Sequence, residues 1–366
     1  MNTLSTTFRD TPRGRITLLT LTNASGARVV LSTLGAGILE VLVPDRDGRL
    51  GDVALGYADP ADYICDGSCM GKCPGRYANR IARGHLTVEG HEYQLETNNG
   101  PNALHGGPEG FQNRIWNLDS ASGNTVVMSL HSPDGDANYP GALDVRATFT
   151  WTDDCRLGIE LRAECDAATV VNLTNHTYWN LRGHDSGSVL DHSLRLFATH
   201  YLPTDETLIP DGTIAPVAGT PMDFTAPRRL GERIRDDFPA LRNGKGYDSC
   251  WVASPRPGKC DNSHDSCREA NPTGCDTVRP VAVLHDETTG RTLTVSSDQP
   301  GVQVYTGNWL AGGPASKSGR AYSDYDGIAI ECQDFPDAPN HPDFPSTLIR
   351  PAQPYLRHIT FHFTTP

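Results

Sequence analysis

Basic residues are in short supply. Lys and Arg number 31 against 44 Asp and Glu, a formal net charge of -13. A nucleic-acid or anionic-membrane partner would need basic patches, so both are disfavoured. A phosphorylated substrate is mildly disfavoured too, although one local arginine would override the net charge. Plain solubility accounts for the acidity equally well. No apolar run approaches the ~20 residues of a membrane span. Met1 to Asp10 lack the apolar stretch of a secretory leader, and a soluble, cytoplasmic protein is expected. Helical periodicity is also scarce, the best candidate being a short helix around Glu232 to Phe238. Neither internal repeats nor an interdomain linker stand out. With 366 residues, one large all-β domain or two ordinary ones would fit, with ample chain for a core.

Short strands separated by turns fill the space that helices leave. Ile16 to Leu21, Val29 to Leu31 and Ile38 to Val43 are β-rich, with Asn23-Ala24-Ser25-Gly26 and Pro44-Asp45-Arg46-Asp47-Gly48 turning the chain. Leu86-Thr87-Val88 and Tyr93-Gln94-Leu95 flank Glu89-Gly90. Val145, Ala147, Phe149 and Trp151 alternate with polar partners, Ile159 and Leu161 with charged ones, and Val281 to Leu284 and Leu293 to Val295 flank another turn. Ile359, Phe361 and Phe363 fall on one face of the last strand. This alternation marks antiparallel sheet covered on one side. The fold class expected is all-β: a large antiparallel β-sandwich with few short helices, one domain over residues 1–366. Residues 254–277, polar and cysteine-bearing, stand apart as a surface insertion.

The stretch from Asn172 to Leu181 runs from a β-branched pair into amides, His176 and the aromatics Tyr178 and Trp179. At a strand end it would form a wall: aromatics for an apolar ring face, amides and imidazole for hydroxyls. A free imidazole, with a pKa of about 6.5, passes protons near neutrality; a satisfied core histidine is the alternative. Gly75 to Gly84 holds Arg76, Arg80 and Arg83, each able to fork onto sugar oxygens or to satisfy loop carbonyls. Asn98 to Gly107 delivers His105 beside two glycines, Asp248 sits in Gly246 to Trp251, and Gln303 lies in Gly301 to Trp309. Gly327-Ile328-Ala329-Ile330 drives an apolar strand into Glu331, a costly carboxylate unless paired, hydrogen-bonded or functional.

Taken together and in order, His176 in its Asn-His-aromatic stretch, Gly75 to Ile81, Leu104 to Gly107, Pro300 to Asn308 and Glu331 to Asn340 resemble the aldose 1-epimerases, also called galactose mutarotases. Pro44 to Gly48 and Asp52 to Gly56 fit that family's N-terminal part, so the likeness spans about residues 14 to 363. The resemblance implies a galactose mutarotase-like supersandwich with a sugar cleft on one sheet. It implies that free aldohexoses such as galactose and glucose change anomer by acid–base ring opening and reclosure. Glu331 matches the general base and His176 the general acid. Arg80, His105, Asp248 and Gln303 match sugar contacts, with Asn79 and Tyr178 as further candidates. No metal or other cofactor is called for, the partner is the small sugar, and the expected assembly is a monomer or weak dimer.

Ser249 departs from the pattern, since family members often carry histidine after the matching aspartate. The cysteines are unusual too. Cys65, Cys69 and Cys73, with Cys260, Cys267, Cys275 and His264, allow a metal site or disulfides, but their spacing fits no standard zinc pattern and free thiols are expected. A hexose-6-phosphate 1-epimerase would want extra cations, for which Arg76 or Arg83 would serve. A non-catalytic carbohydrate-binding module would lack a member of the His176–Glu331 pair.

Overall fold

The computed structural model describes residues 3–64, 66–253 and 277–365. The insertion, apart from Thr277, and Cys65, Cys260, His264, Cys267 and Cys275 lie outside these residues. Alternating sequences produced the expected strands. Leu143–Trp151 pairs with Arg156–Cys165, which pairs with Tyr355–Thr364, within a nine-stranded sheet. Ile359, Phe361 and Phe363 are buried on its inner face. Every strand pair among the described residues is antiparallel, and one isolated bridge, Tyr77 to Asn172, is parallel. The Glu89-Gly90 turn closes the hairpin His85–Val88/His91–Gln94 with both residues at positive φ, 50° and 83°, as a two-residue turn matched to strand twist requires.

A six-stranded sheet carries four of the candidate residues, Tyr178, Asp248, Gln303 and Glu331. Its order is Tyr178–Trp179, Ile328–Gln333, Gly301–Tyr305, Asp248–Val252, His200–Tyr201 and Ala215–Pro216. Side chains alternate between faces along a strand, so register decides which residues meet. Val302, Val304, Ile328, Ile330 and Trp251 enter the core shared with the nine-stranded sheet. Trp179 also does so, its ring 4.9 Å from Phe361 and 5.3 Å from Phe363. Burying each such side chain contributes about 1.5–3 kcal/mol. The opposite face is left to the residues between them, Gln303, Tyr305 and Glu331 among them.

The helix expected at Glu232 to Phe238 is displaced: a 3-10 turn occupies Leu230–Glu232 and the α-helix is Pro239–Gly244. Proline holds φ for a first helical turn but disfavours helix in the residue before it. Phe238 accordingly is extended, at φ -133° and ψ 135°. Thr3–Thr11 forms an additional edge strand beside Gly14–Thr22. It is largely exposed, with no apolar alternation to betray it.

Candidate active site

Pairing on the six-stranded sheet sets Gln303 opposite Glu331, Asp248 opposite Tyr305, and both Tyr305 and Tyr178 opposite Ala329. Tyr178, Asp248, Gln303, Tyr305 and Glu331 therefore share one face. They line a cleft of about 540 Å³ together with Asn79, Arg80, His105 and His176, a volume within the usual ligand-site range. The structure thus brings all eight candidate residues together.

His176 sits in irregular extended chain ahead of Tyr178–Trp179 rather than at the end of a longer strand. Its backbone is held on both sides. The His176 N–H donates to the Lys72 carbonyl at 2.8 Å, and the Gly71 N–H donates to the His176 carbonyl at 3.0 Å. Tyr178 packs against the imidazole with ring centres 5.0 Å apart, and His105 meets it edge to face at 5.4 Å. His176 Nε2 then lies 3.4 Å from Glu331 Oε1. Both side chains are buried.

A second wall comes from two loops locked together. The Asn79 N–H donates to His105 Nδ1 at 3.1 Å, and the His105 N–H returns to the Asn79 carbonyl at 3.0 Å. Nδ1 is therefore an acceptor, so in the neutral ring the proton sits on Nε2. Gly106 permits the approach: a Cβ there would meet the Gly75 carbonyl oxygen at 2.0 Å. Arg80 Nε donates to Asn99 Oδ1 at 3.1 Å, leaving Nη2 3.8 Å from Asp248. Gln303 Nε2 donates to Asp248 Oδ1 at 2.6 Å. Glu331 Oε2, His176 Nδ1 and Gln303 Oε1 are buried without a protein partner among the described residues. Three such atoms on residues that line one cleft suit a site for a ligand rich in hydroxyls.

Burial dominates the electrostatics. It pushes the Glu331 carboxyl well above its usual range, helped by the Asp248 charge and opposed by Arg80. It pulls His176 down to about 4, with the Lys72 charge adding to the effect. His105 also falls well below the ordinary histidine value, through burial first and then the neighbouring His176. The forms favoured in the buried pair are thus a neutral carboxyl and a neutral imidazole.

Arg76 and Arg83 part company with Arg80. Arg76 is buried away from the cleft, donating to the carbonyls of Pro140 at 2.9 Å and Gly141 at 2.7 Å and to Ser132 Oγ at 2.6 Å. Its fork is already occupied, so it cannot serve a phosphate in the cleft. Arg83 is exposed in an adjoining groove. Ser249 pairs with Val304 and faces away from the cleft. Tyr305, Asn99 and Trp309 line the cleft without having been singled out from the sequence. For Tyr305 the period-two spacing from Gln303 was the available signal. Cys69, Cys73, Cys155, Cys165, Cys250 and Cys332 are free thiols, and the described residues hold no cluster suited to a metal ion.

Known proteins match this chain along nearly all its length. The family described as Aldose 1-epimerase matches residues 17–362. Galactose mutarotase of Homo sapiens is 40% identical over 337 residues, covering 92% of this chain and 91% of that protein. Aldose 1-epimerase of Haemophilus influenzae is 39% identical over 342 residues, covering 93% and 92%. Among solved structures, an aldose epimerase homologue from C. elegans superposes with a TM-score of 0.83 at 28% identity, covering 99% of both chains. Galactose 1-epimerase from Lactobacillus acidophilus NCFM gives 0.80 at 27% identity, again over 99% of both.

Proposed function

The chain belongs to the aldose 1-epimerase family, and from that premise we propose that it interconverts the α and β anomers of free aldohexoses such as galactose and glucose, with Glu331 as general base and His176 as general acid. The observation that carries the roles is the imidazole–carboxylate pair at 3.4 Å on the cleft floor.

Ring opening moves one proton from the C1 hydroxyl and delivers one to the ring oxygen. Glu331 takes the first while His176 Nε2 supplies the second, and the C1–O5 bond breaks to leave an aldehyde. Rotation about C1–C2 exposes the other carbonyl face, and the same transfers in reverse close the ring. The two residues share one proton throughout. Carboxylate with imidazolium becomes carboxyl with neutral imidazole on opening, and returns on closure. Burial favours the second arrangement, so the open-chain stage meets the pair in its preferred form. Each acid or base role is worth about 10²–10⁴-fold.

The other groups hold the sugar. Arg80 offers a cationic donor, His105 an Nε2–H, and Asp248 and Gln303 Oε1 accept hydrogen bonds from hydroxyls; Tyr178 and Tyr305 present ring surface to the apolar C–H face. Holding the ring to one orientation keeps C1 and O5 at their partners. A cytoplasmic location and a monomer or weak dimer belong to the same proposal; no described helix is long and apolar enough to cross a membrane.

Anomer exchange followed by NMR on free galactose, free glucose and a hexose 6-phosphate tests the reading. Acceleration of the free sugars is expected. Acceleration confined to the phosphate would overturn it.

A further inference from the structure

Beneath the cleft lies a charged pair that the chemistry above does not use. The side chains of Lys72 and Asp66 are fully buried and joined through Lys72 Nζ and Asp66 Oδ1. Nζ also donates to the Tyr63 carbonyl at 2.6 Å and to Asn113 Oδ1 at 3.3 Å, which uses all three of its hydrogens. Asp66 Oδ2 accepts from the Met70 N–H at 2.8 Å and from Ser68 Oγ at 3.1 Å. The ammonium thus ties both ends of the loop 66–72 together and fastens it to two other segments.

That loop is the seat of the candidate acid. Gly71 and Lys72 bracket the His176 backbone, and Asn175 Nδ2 donates to the Gly71 carbonyl at 3.0 Å. Tyr178 Oη donates to the Ser68 carbonyl at 3.0 Å, so the ring packed on His176 rests on the same loop. Its path is tightly confined: Gly71 lies at φ +72°, and a Cβ there would meet the Ile38 carbonyl oxygen at 2.1 Å.

A buried ion pair is poor value as a stabiliser, because desolvating two charges offsets most of their attraction. Its placement suggests another use. We propose that Lys72, held by Asp66, is a positioning residue for His176, fixing the imidazole against Glu331 and presenting it with a positive charge. This deepens the acid–base reading above and rests on it. Among the described residues, the titratable groups around the imidazole are Glu331, Tyr305 and Tyr178 from three strands of the sheet and His105 from the opposite loop, with Cys69 lining the same cleft and Lys72 acting through its charge from the loop beneath. Among the described residues Lys72 is the fixed cation that weighs on His176, and it opposes a second positive charge there. The imidazolium consequently gives up its proton to the sugar more readily.

Lys72→Met alone strands the Asp66 carboxylate in the interior and risks misfolding. The Lys72→Met/Asp66→Asn double variant removes both charges together and is the one to use, beside His176→Asn in the wild-type background. The readouts are kcat and KM for galactose, and the titration of the His176 ring followed by NMR of isotope-labelled histidine. We expect the double variant to fold, to keep KM, to lose kcat on the order of 10²-fold as a misplaced catalytic group does, and to titrate His176 at higher pH than wild type. An unchanged kcat or an unmoved His176 titration would overturn the proposal. His176→Asn separates the two levels. If it loses turnover while the double variant does not, the positioning role fails and the acid–base reading stands. If it keeps turnover, both fall.

Discussion

Replacing Glu331 with Gln should move activity and stability in opposite directions. The swap is nearly isosteric. Glu331 Oε2 has no protein partner among the described residues and Oε1 meets only His176, so the amide breaks no structural hydrogen bond. What it removes is the proton acceptor. General bases are worth about 10²–10⁴-fold, or about 2.7–5.4 kcal/mol of barrier. A carboxylate whose pKa is raised by burial is a stronger base and belongs in the upper half of that range. We therefore expect kcat for galactose to fall about 10³–10⁴-fold with KM little changed. Stability follows from linkage. Burial holds the folded-state pKa of Glu331 well above the ordinary glutamate value of 4.5, so between these values the native state holds a proton that the unfolded chain has released. Wild-type stability therefore falls as pH rises from 4.5 toward the raised pKa, and a Gln, which never ionises, escapes that loss. Thermal melts should show Glu331→Gln level with wild type at pH 4 and above it at pH 8. A variant that kept most turnover, or that was less stable than wild type at pH 8, would refute the reasoning.

Further outcomes follow from the same geometry. His176→Asn should cost about 10²–10⁴-fold in kcat by progress-curve assay while leaving the far-UV spectrum unchanged. The pH profile should be a plateau with two limbs, because the pair works with one proton between its members. Activity falls below about 4, where His176 takes a second proton, and again above the raised pKa of Glu331, where the last is lost; a profile centred on an ordinary histidine pKa would contradict this. Arg76→Met should leave the activity of folded protein intact yet lower its stability by at least about 3 kcal/mol in denaturant titration, because several buried carbonyls lose a charged donor. Gly71→Ala should lower both the melting temperature and kcat, since its Cβ collides with Ile38 and the loop under His176 must shift.

Much of this molecule is legible from its sequence, and the parts that are not have identifiable causes. Strands with one buried face announce themselves by alternation, as Leu143–Trp151 and Tyr355–Thr364 do. Thr3–Thr11 carries no such signal because it lies exposed at an edge. The helix slipped because Pro239 sets its start, overriding the local composition before it. Within the site, Arg76 and Arg80 sit four residues apart in one motif, yet one is locked to loop carbonyls and the other reaches the cleft. Only three-dimensional packing separates them. Tyr305 was visible as an aromatic at a strand end, but its place in the cleft depends on register with Asp248 and Ala329. Lys72 gave the least warning: an isolated lysine in a small-residue run says nothing of an aspartate that folds back to bury it.

The most direct test is polarimetry of freshly dissolved α-D-galactose, in weak buffer, with and without the protein. Faster decay to the same final rotation is the expected result, for an epimerase speeds the approach to an equilibrium it cannot move. Decay at the spontaneous rate, with galactose and then with α-D-glucose, would contradict the proposed reaction.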